Sequence, residues 1–170
     1  MGNKEQIFGQ LVKENRDAVY RICLAYLYDR SHADDLYQEI LLQAWKSLDN
    51  FRGDASISTW LYRIAVNTAI TYNRKQAKNR VQELPDHLQP AVSFYSESRA
   101  KEEQLNQLSL AISRLEEQDR LLISLVLEDM SYKQIAEITG TSVNNTGVRI
   151  TRAKARLMKL MTDKNAADGF

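Results

Sequence analysis

Asp34-Asp35-Leu36-Tyr37-Gln38-Glu39, followed by Phe51-Arg52-Gly53-Asp54 and then Thr59-Trp60-Leu61-Tyr62-Arg63-Ile64-Ala65-Val66-Asn67, is the stretch on which the fold and the work of this chain turn. In the helix that opens near Ser31, Tyr37, Ile40, Leu41, Ala44, Trp45 and Leu48 recur at helical spacing and predict a buried stripe. The opposite face carries Asp35, Gln38, Glu39, Gln43 and Lys46, with Leu42 among them. An exposed leucine in an acidic field suits a helical partner with basic flanks; a solvated face with one incidental leucine has the same composition. In the next helix Leu61, Ile64, Ala65, Thr68 and Tyr72 are spaced to face inward, whereas Arg63, Asn67, Ile70 and Arg74 line another face that suits DNA. The polar loop between them, Asn50 to Ser56, contains Gly53, which permits backbone shapes other residues resist, and Ser56 or Ser58 can cap the helix. Trp60, Tyr62 and Tyr72 could stack on single-stranded bases, but aromatics at helical spacing more often pack, and Trp60 is expected in the core.

A second motif lies near the C-terminus. Ser131-Tyr132-Lys133-Gln134 reads as a capping box, Ala136 lets a second helix cross closely, Gly140 allows a tight turn, and Thr141 or Ser142 can cap that second helix. On it Thr146, Ile150, Ala153, Leu157, Leu160 and Met161 form the inward stripe, and Asn145, Arg149, Arg152, Arg156 and Lys159 form a polar and basic one. An uncharged beginning with a cationic remainder fits a recognition helix entering a major groove by its N-terminus.

Charge placement agrees. Ala55 to Gln82 and Ile138 to Thr162 contain no Asp or Glu and hold 10 of the 23 cationic residues, leaving 13 against all 22 acids elsewhere. Two such basic windows are the footprint of polyanion binding, although a charge run can also be a solvated face. Both prolines, Pro85 and Pro90, fall in a stretch with little periodicity, which predicts a linker. With no β-alternation and no internal repeat, the fold class is all-α: two helical domains, 5–80 and 101–162, a linker over 81–100, and a tail from 163 to 170.

In order and spacing these motifs resemble the two domains of a bacterial sigma factor of the sigma-70 family, extracytoplasmic-function type; Asn144-Asn145-Thr146-Gly147-Val148-Arg149-Ile150 resembles a variant seen in Bacteroidetes. Many members have an aliphatic residue and then a lysine or arginine where this chain has Thr146 and Gly147. Gly147 costs about 1 kcal/mol of helix propensity unless its missing side chain is used. The resemblance covers about residues 5 to 78 and 101 to 161. It implies a helical-bundle region 2, in which Asp35, Gln38, Glu39 and Leu42 dock on the coiled coil of the largest subunit of core RNA polymerase. It also implies that Phe51, Arg52, Gly53, Asp54, Ala55, Ser56, Arg63, Asn67, Arg74 and Lys75 melt and capture the -10 element, the loop holding one flipped base as single strand. Asn144, Asn145, Val148, Arg149, Thr151, Arg152 and Arg156 of a region 4 helix-turn-helix would contact the -35 duplex, with the polymerase flap as a further partner. An anti-sigma factor is implied too.

Other chemistry finds little support. His32, His87 and one cysteine make no recognisable zinc site, no Gly-rich phosphate loop is present, and neither a metal nor a cofactor is expected. Asp34 and Asp35 point about 100° apart on a helix and suit its N-terminus better than acid–base catalysis, so no catalytic residue and no enzyme activity are expected. Cys23 reads as a small buried residue. No signal-peptide core or apolar run of membrane-spanning length occurs, so the protein is expected in the cytoplasm without membrane insertion. The rival within DNA binding is a stand-alone helix-turn-helix regulator that never contacts polymerase. A helical adaptor acting only through protein contacts leaves the two basic windows unexplained.

Overall fold

The structure is a computed structural model and describes residues 2–27, 30–79 and 99–167. Its elements are α1 (Gly2–Tyr26), α2 (Ala33–Ser47), α3 (Ile57–Asn79), α4 (Arg99–Ser113), α5 (Glu117–Leu127), α6 (Tyr132–Thr139) and α7 (Val143–Ala167), with short 3-10 turns at Arg30–His32 and Leu48–Asn50. Among the described residues there is no strand. Most of the expected linker lies outside the described residues. Helix α4 begins two residues before the domain start read from the sequence, and α7 carries its helical backbone to Ala167, into the expected tail. The break between α4 and α5 has no punctuation by glycine or proline, which is why periodicity alone did not locate it.

Capping obeys the expected chemistry. Ser56 Oγ accepts the Thr59 amide at 3.1 Å and opens α3. Ser131 and Gln134 form a reciprocal box, with the Ser131 amide donating to Gln134 Oε1 at 2.9 Å and the Gln134 amide to Ser131 Oγ at 3.3 Å. Gly140 closes α6 in the left-handed region, φ 69°. Ser142 Oγ then accepts the Asn145 amide at the start of α7.

Helices α1, α2 and α3 pack on one another, but not with the stripes placed as expected. In α2 the fully buried row is Ala33, Leu36, Ile40 and Ala44, whereas Tyr37, Leu41, Trp45 and Leu48 are half-buried at its border. Ile40 and Ala44 are thus buried as expected, but the row continues through Leu36 and Ala33 and not through Tyr37 and Leu41. In α3 Leu61 and Ala65 are buried as expected, yet so are Val66 and Ala69, on a second row that also holds Tyr62, Ile70 and Asn73. Trp60 is half-buried and packs against the core, with its ring 5.4 Å from Phe51. Cys23 is completely buried and desolvation pushes its thiol up to about 12, so it is an unreactive core group.

The second row of α3 is covered by the other half of the chain. Helix α5 lies on α1, α6 lies on α3, and Leu121, Leu122, Leu125, Ile135, Ile138 and Ile150 share one apolar cluster with Ile22, Leu36, Leu61 and Val66. A smaller cluster of Leu115, Ile123 and Ala153 holds α4, α5 and α7 together. Polar groups pin the seam. Arg21 forks onto Glu128, its Nη2 2.7 Å from Oε2. Asn73 Nδ2 donates to the Tyr26 carbonyl and to Glu117. The buried Arg120 donates Nε to the Ala25 carbonyl at 2.6 Å and Nη1 to the Leu115 carbonyl at 3.1 Å, so one guanidinium ties the end of α1 to the turn before α5. Arg120→Leu strands those acceptors and is expected to cost about 2–3 kcal/mol. A urea titration should show a lower midpoint at unchanged slope, and Arg120→Lys should recover only part of the loss because an ammonium cannot fork.

Candidate nucleic-acid and partner interfaces

The exposed face of α2 is built as the sequence suggested. Asp35 and Gln38 are exposed, and Leu42 keeps 45% of its surface in solvent. Glu39 is half-buried and accepts a hydrogen bond from Gln43 Nε2 at 2.8 Å. Asp34 and Asp35 sit in the first turn of α2, where helix polarity favours a carboxylate, and Asp34 also accepts the Tyr20 hydroxyl at 3.1 Å. Tyr20 has its hydroxyl pushed up first by burial and then by that bond. Both aspartates are thus accounted for by structure.

In the loop before α3, Gly53 adopts φ 78°, the left-handed shape for which the glycine was singled out. Arg52, Gly53, Asp54 and Ser56 are exposed, Ala55 is half-buried, and Phe51 turns inward to Trp60. Arg63, Asn67, Arg74 and Lys75 are exposed along α3, whereas Ile70 is half-buried against the core. The loop and the cationic edge of α3 therefore form one polar strip backed by an aromatic pair.

In the helix-turn-helix, Asn144, Asn145, Thr151 and Arg152 are exposed, and Val148 is 44% exposed. The structure holds back two of the expected arginines. Arg149 is half-buried and donates Nη2 to Gln118 Oε1 of α5 at 2.8 Å. Arg156 pairs with Asp119, a buried acid, and that bond raises the arginine further above its usual range. Thr146 is buried, and its hydroxyl is shared with Thr141 Oγ1 at 2.7 Å, which is in turn 3.1 Å from Thr139. A hydroxyl thus occupies this core position without an unmet bond.

Gly147 lies beneath the ring of Tyr132, a residue expected only to take part in the cap of α6. A Cβ on Gly147 would stand 3.5 Å from Tyr132 Cδ2. The available signal was the glycine itself, since a gap inside a helical run invites a neighbouring side chain. At the seam between the halves a cavity of 540 Å³ is lined by Tyr26, Ile70, Asn73, Arg74, Glu116, Glu117 and Gln118. Burial and then Glu117 push the Tyr26 hydroxyl up to about 12, with Arg149 and Arg74 acting against them. One cation from each expected DNA-facing set therefore comes to the same seam.

Residues 11–79 match the family described as Sigma-70 region 2, and residues 105–157 match Sigma-70, region 4. The chain belongs to the sigma-70 family. Its relatives include the RNA polymerase sigma factor SigV of Bacillus subtilis, 30% identical over 90% of this chain and 89% of that protein. The ECF RNA polymerase sigma-E factor of Escherichia coli K12 is 37% identical over 71% of this chain and 69% of that one. Among solved structures, the sigma factor RpoE of Bartonella quintana, in complex with the anti-sigma factor NepR, superposes with TM-score 0.73 at 24% identity over 92% of this chain and 98% of that chain. CnrH in complex with the cytosolic domain of CnrY gives TM-score 0.68 at 24% identity, over 95% and 92% of the two chains, so the fold is shared across both halves. The protein is a sigma factor of the extracytoplasmic-function type, and its work is promoter-specific initiation of transcription. Among the described residues no group of side chains could hold a metal, and no helix is long and apolar enough to cross a membrane.

At Gly147 the Cβ contact is of ordinary van der Waals length and the backbone is helical. Gly147→Ala is therefore expected to raise the unfolding free energy by about 0.5–1 kcal/mol, read as a higher denaturation midpoint.

Proposed function

We propose that Asp35, Gln38, Glu39 and Leu42 of α2 dock on core RNA polymerase, that the 51–56 loop with Arg63, Asn67, Arg74 and Lys75 takes the -10 strand, and that α7 enters the -35 duplex. The chain supplies promoter choice and no catalysis of its own, and it works in the cytoplasm, where polymerase and DNA are. The observation that carries this reading is Leu42, a large apolar side chain left 45% exposed between acidic and amide neighbours on a helix whose other face is saturated with core contacts. A stand-alone helix-turn-helix regulator has no use for that face or for a matched region 2. An anti-sigma factor is a further partner, supported by the two similar structures, each a complex with such a protein or with the cytosolic domain of CnrY.

The closed packing of the two halves is, on this reading, a form from which the promoter is not yet spanned. Elements numbered -10 and -35 lie about 25 base pairs apart, or about 85 Å at ~3.4 Å per pair. A compact chain of this size has a radius of gyration of only about 15 Å. The 19 residues from Arg80 to Ser98 can reach about 65 Å when extended, enough to let the halves part. Dyes on the exposed faces of α2 and α7 are expected to move apart when core polymerase binds; an unchanged transfer efficiency would refute opening.

Size-exclusion chromatography with core polymerase is the primary test. The wild-type chain should move into the polymerase peak, and Asp35→Ala/Gln38→Ala/Leu42→Ala should bind at least about tenfold more weakly while keeping native circular dichroism. Promoter affinity of the assembled complex should fall steeply with salt. Arg152→Ala should make that slope shallower by about one, the signature of one lost phosphate contact. Failure of the folded wild-type chain to join the polymerase peak would overturn the assignment of α2.

A further inference from the structure

Resting on the reading that α7 enters the major groove, we propose that its first two turns read A·T pairs and not guanine, with Val148 on a thymine methyl and Asn144 or Asn145 on an adenine edge. Three features of this chain lead there. The first is chemical: guanine is read by a forked or pointed cation, adenine by the donor and acceptor of an amide, and thymine by apolar contact with its methyl group. From Val143 to Val148 the helix offers two amides and two valines and no cation.

The second is which of those groups the fold makes available. Thr146 is excluded, because it is buried with its hydroxyl engaged by Thr141. Gly147 has no side chain, and the space a side chain would enter is bounded by the ring of Tyr132. What remains outside is Asn144, Asn145 and two apolar surfaces, Val143 at 50% and Val148 at 44% exposure, with the 40% exposed Tyr132 beside Gly147. Residues 143 and 147 share one helical row and 144 and 148 the next, so the two valines and the tyrosine border the amides. That border is costly in water and would be relieved against methyl groups on the floor of the groove.

The third is where the first cation goes. Arg149 is held by Gln118 of α5 and its charge is felt at Tyr26, on the side toward the seam. The next, Arg152, is exposed and one turn beyond Val148 on the same row, a place suited to a phosphate. The helix thus separates base reading at its uncharged tip from charge pairing behind it.

The experiment uses the full chain assembled with core polymerase and a promoter library randomised over the -35 duplex. Selection should enrich A·T or T·A at two neighbouring positions. Each selected thymine is then replaced singly by deoxyuridine, which removes the methyl and leaves pairing intact. One replacement should weaken binding about fourfold, the effect of one buried methyl-sized group. Against Val148→Ala the same replacement should cost less than twofold, while comigration with polymerase persists. Asn144→Ala and Asn145→Ala are measured beside it, and one of them should relax the choice of adenine at a single position. Enrichment of G·C at those positions, or indifference to every methyl, overturns the proposal while leaving the polymerase assignment standing. Unchanged DNA selection by Val148→Ala, with loss of a protein partner instead, overturns it as well and marks the border as a protein-docking surface. Failure to bind polymerase at all refutes the underlying reading, and is distinguished by the chromatography.

Discussion

Helix α3 is apolar on two adjacent rows, and a helix so built must be covered from two sides. One row, Leu61 and Ala65, completes the bundle with α2. The other, with Val66 and Ala69, meets α1 and the second half of the chain, as the bonds from Tyr62 to Asn15 at 2.6 Å and from Asn73 to Glu117 at 3.1 Å mark. The third side is left to Arg63, Asn67 and Arg74. The same helix therefore holds the first domain together, docks the second and presents a cationic edge, each on its own strip of surface.

The acids are placed to match. Those on and beside α5 do much of the pairing: Glu128 with Arg21, Asp119 with Arg156, and Glu117 with Asn73. Arg120 adds a buried charge that satisfies main-chain carbonyls across the seam. Within the second half, α5 holds two cations of α7, Arg156 by the charge of Asp119 and Arg149 by the amide of Gln118, and leaves Arg152 exposed. A partly exposed pair such as Arg21 with Glu128 is weakened by salt, whereas the shared apolar cluster is not. The closed form is consequently held by burial and steered by charge.

Much of the site was legible before the fold. The capping box at Ser131, the left-handed Gly140 and Gly53, and the serine caps at Ser56 and Ser142 arise from local chemistry that no tertiary contact needs to supply. Exposure of Asp35, Gln38, Leu42, Asn67, Asn145 and Arg152 was also readable, because polar residues at helical spacing opposite an apolar stripe have nowhere else to point. The stripe of α2 was right at Ile40 and Ala44 but missed Leu36 and Ala33, since Leu36 follows two aspartates and its burial depends on where α1 and α3 approach. The role of Tyr132 was missed for a similar reason: it is set by a glycine fifteen residues away on another helix.

The sequence by itself determined an all-α chain, two basic windows free of acids, the capped ends of its short helices and the family to which it belongs, because periodicity, capping and charge act over a few residues. Only the tertiary structure decided that the two halves share one core, that Arg149 and Arg156 are held by α5, and that Tyr132 covers Gly147. Those outcomes depend on which of several available apolar rows and acids meet when helices distant in sequence pack, and no local pattern selects among them.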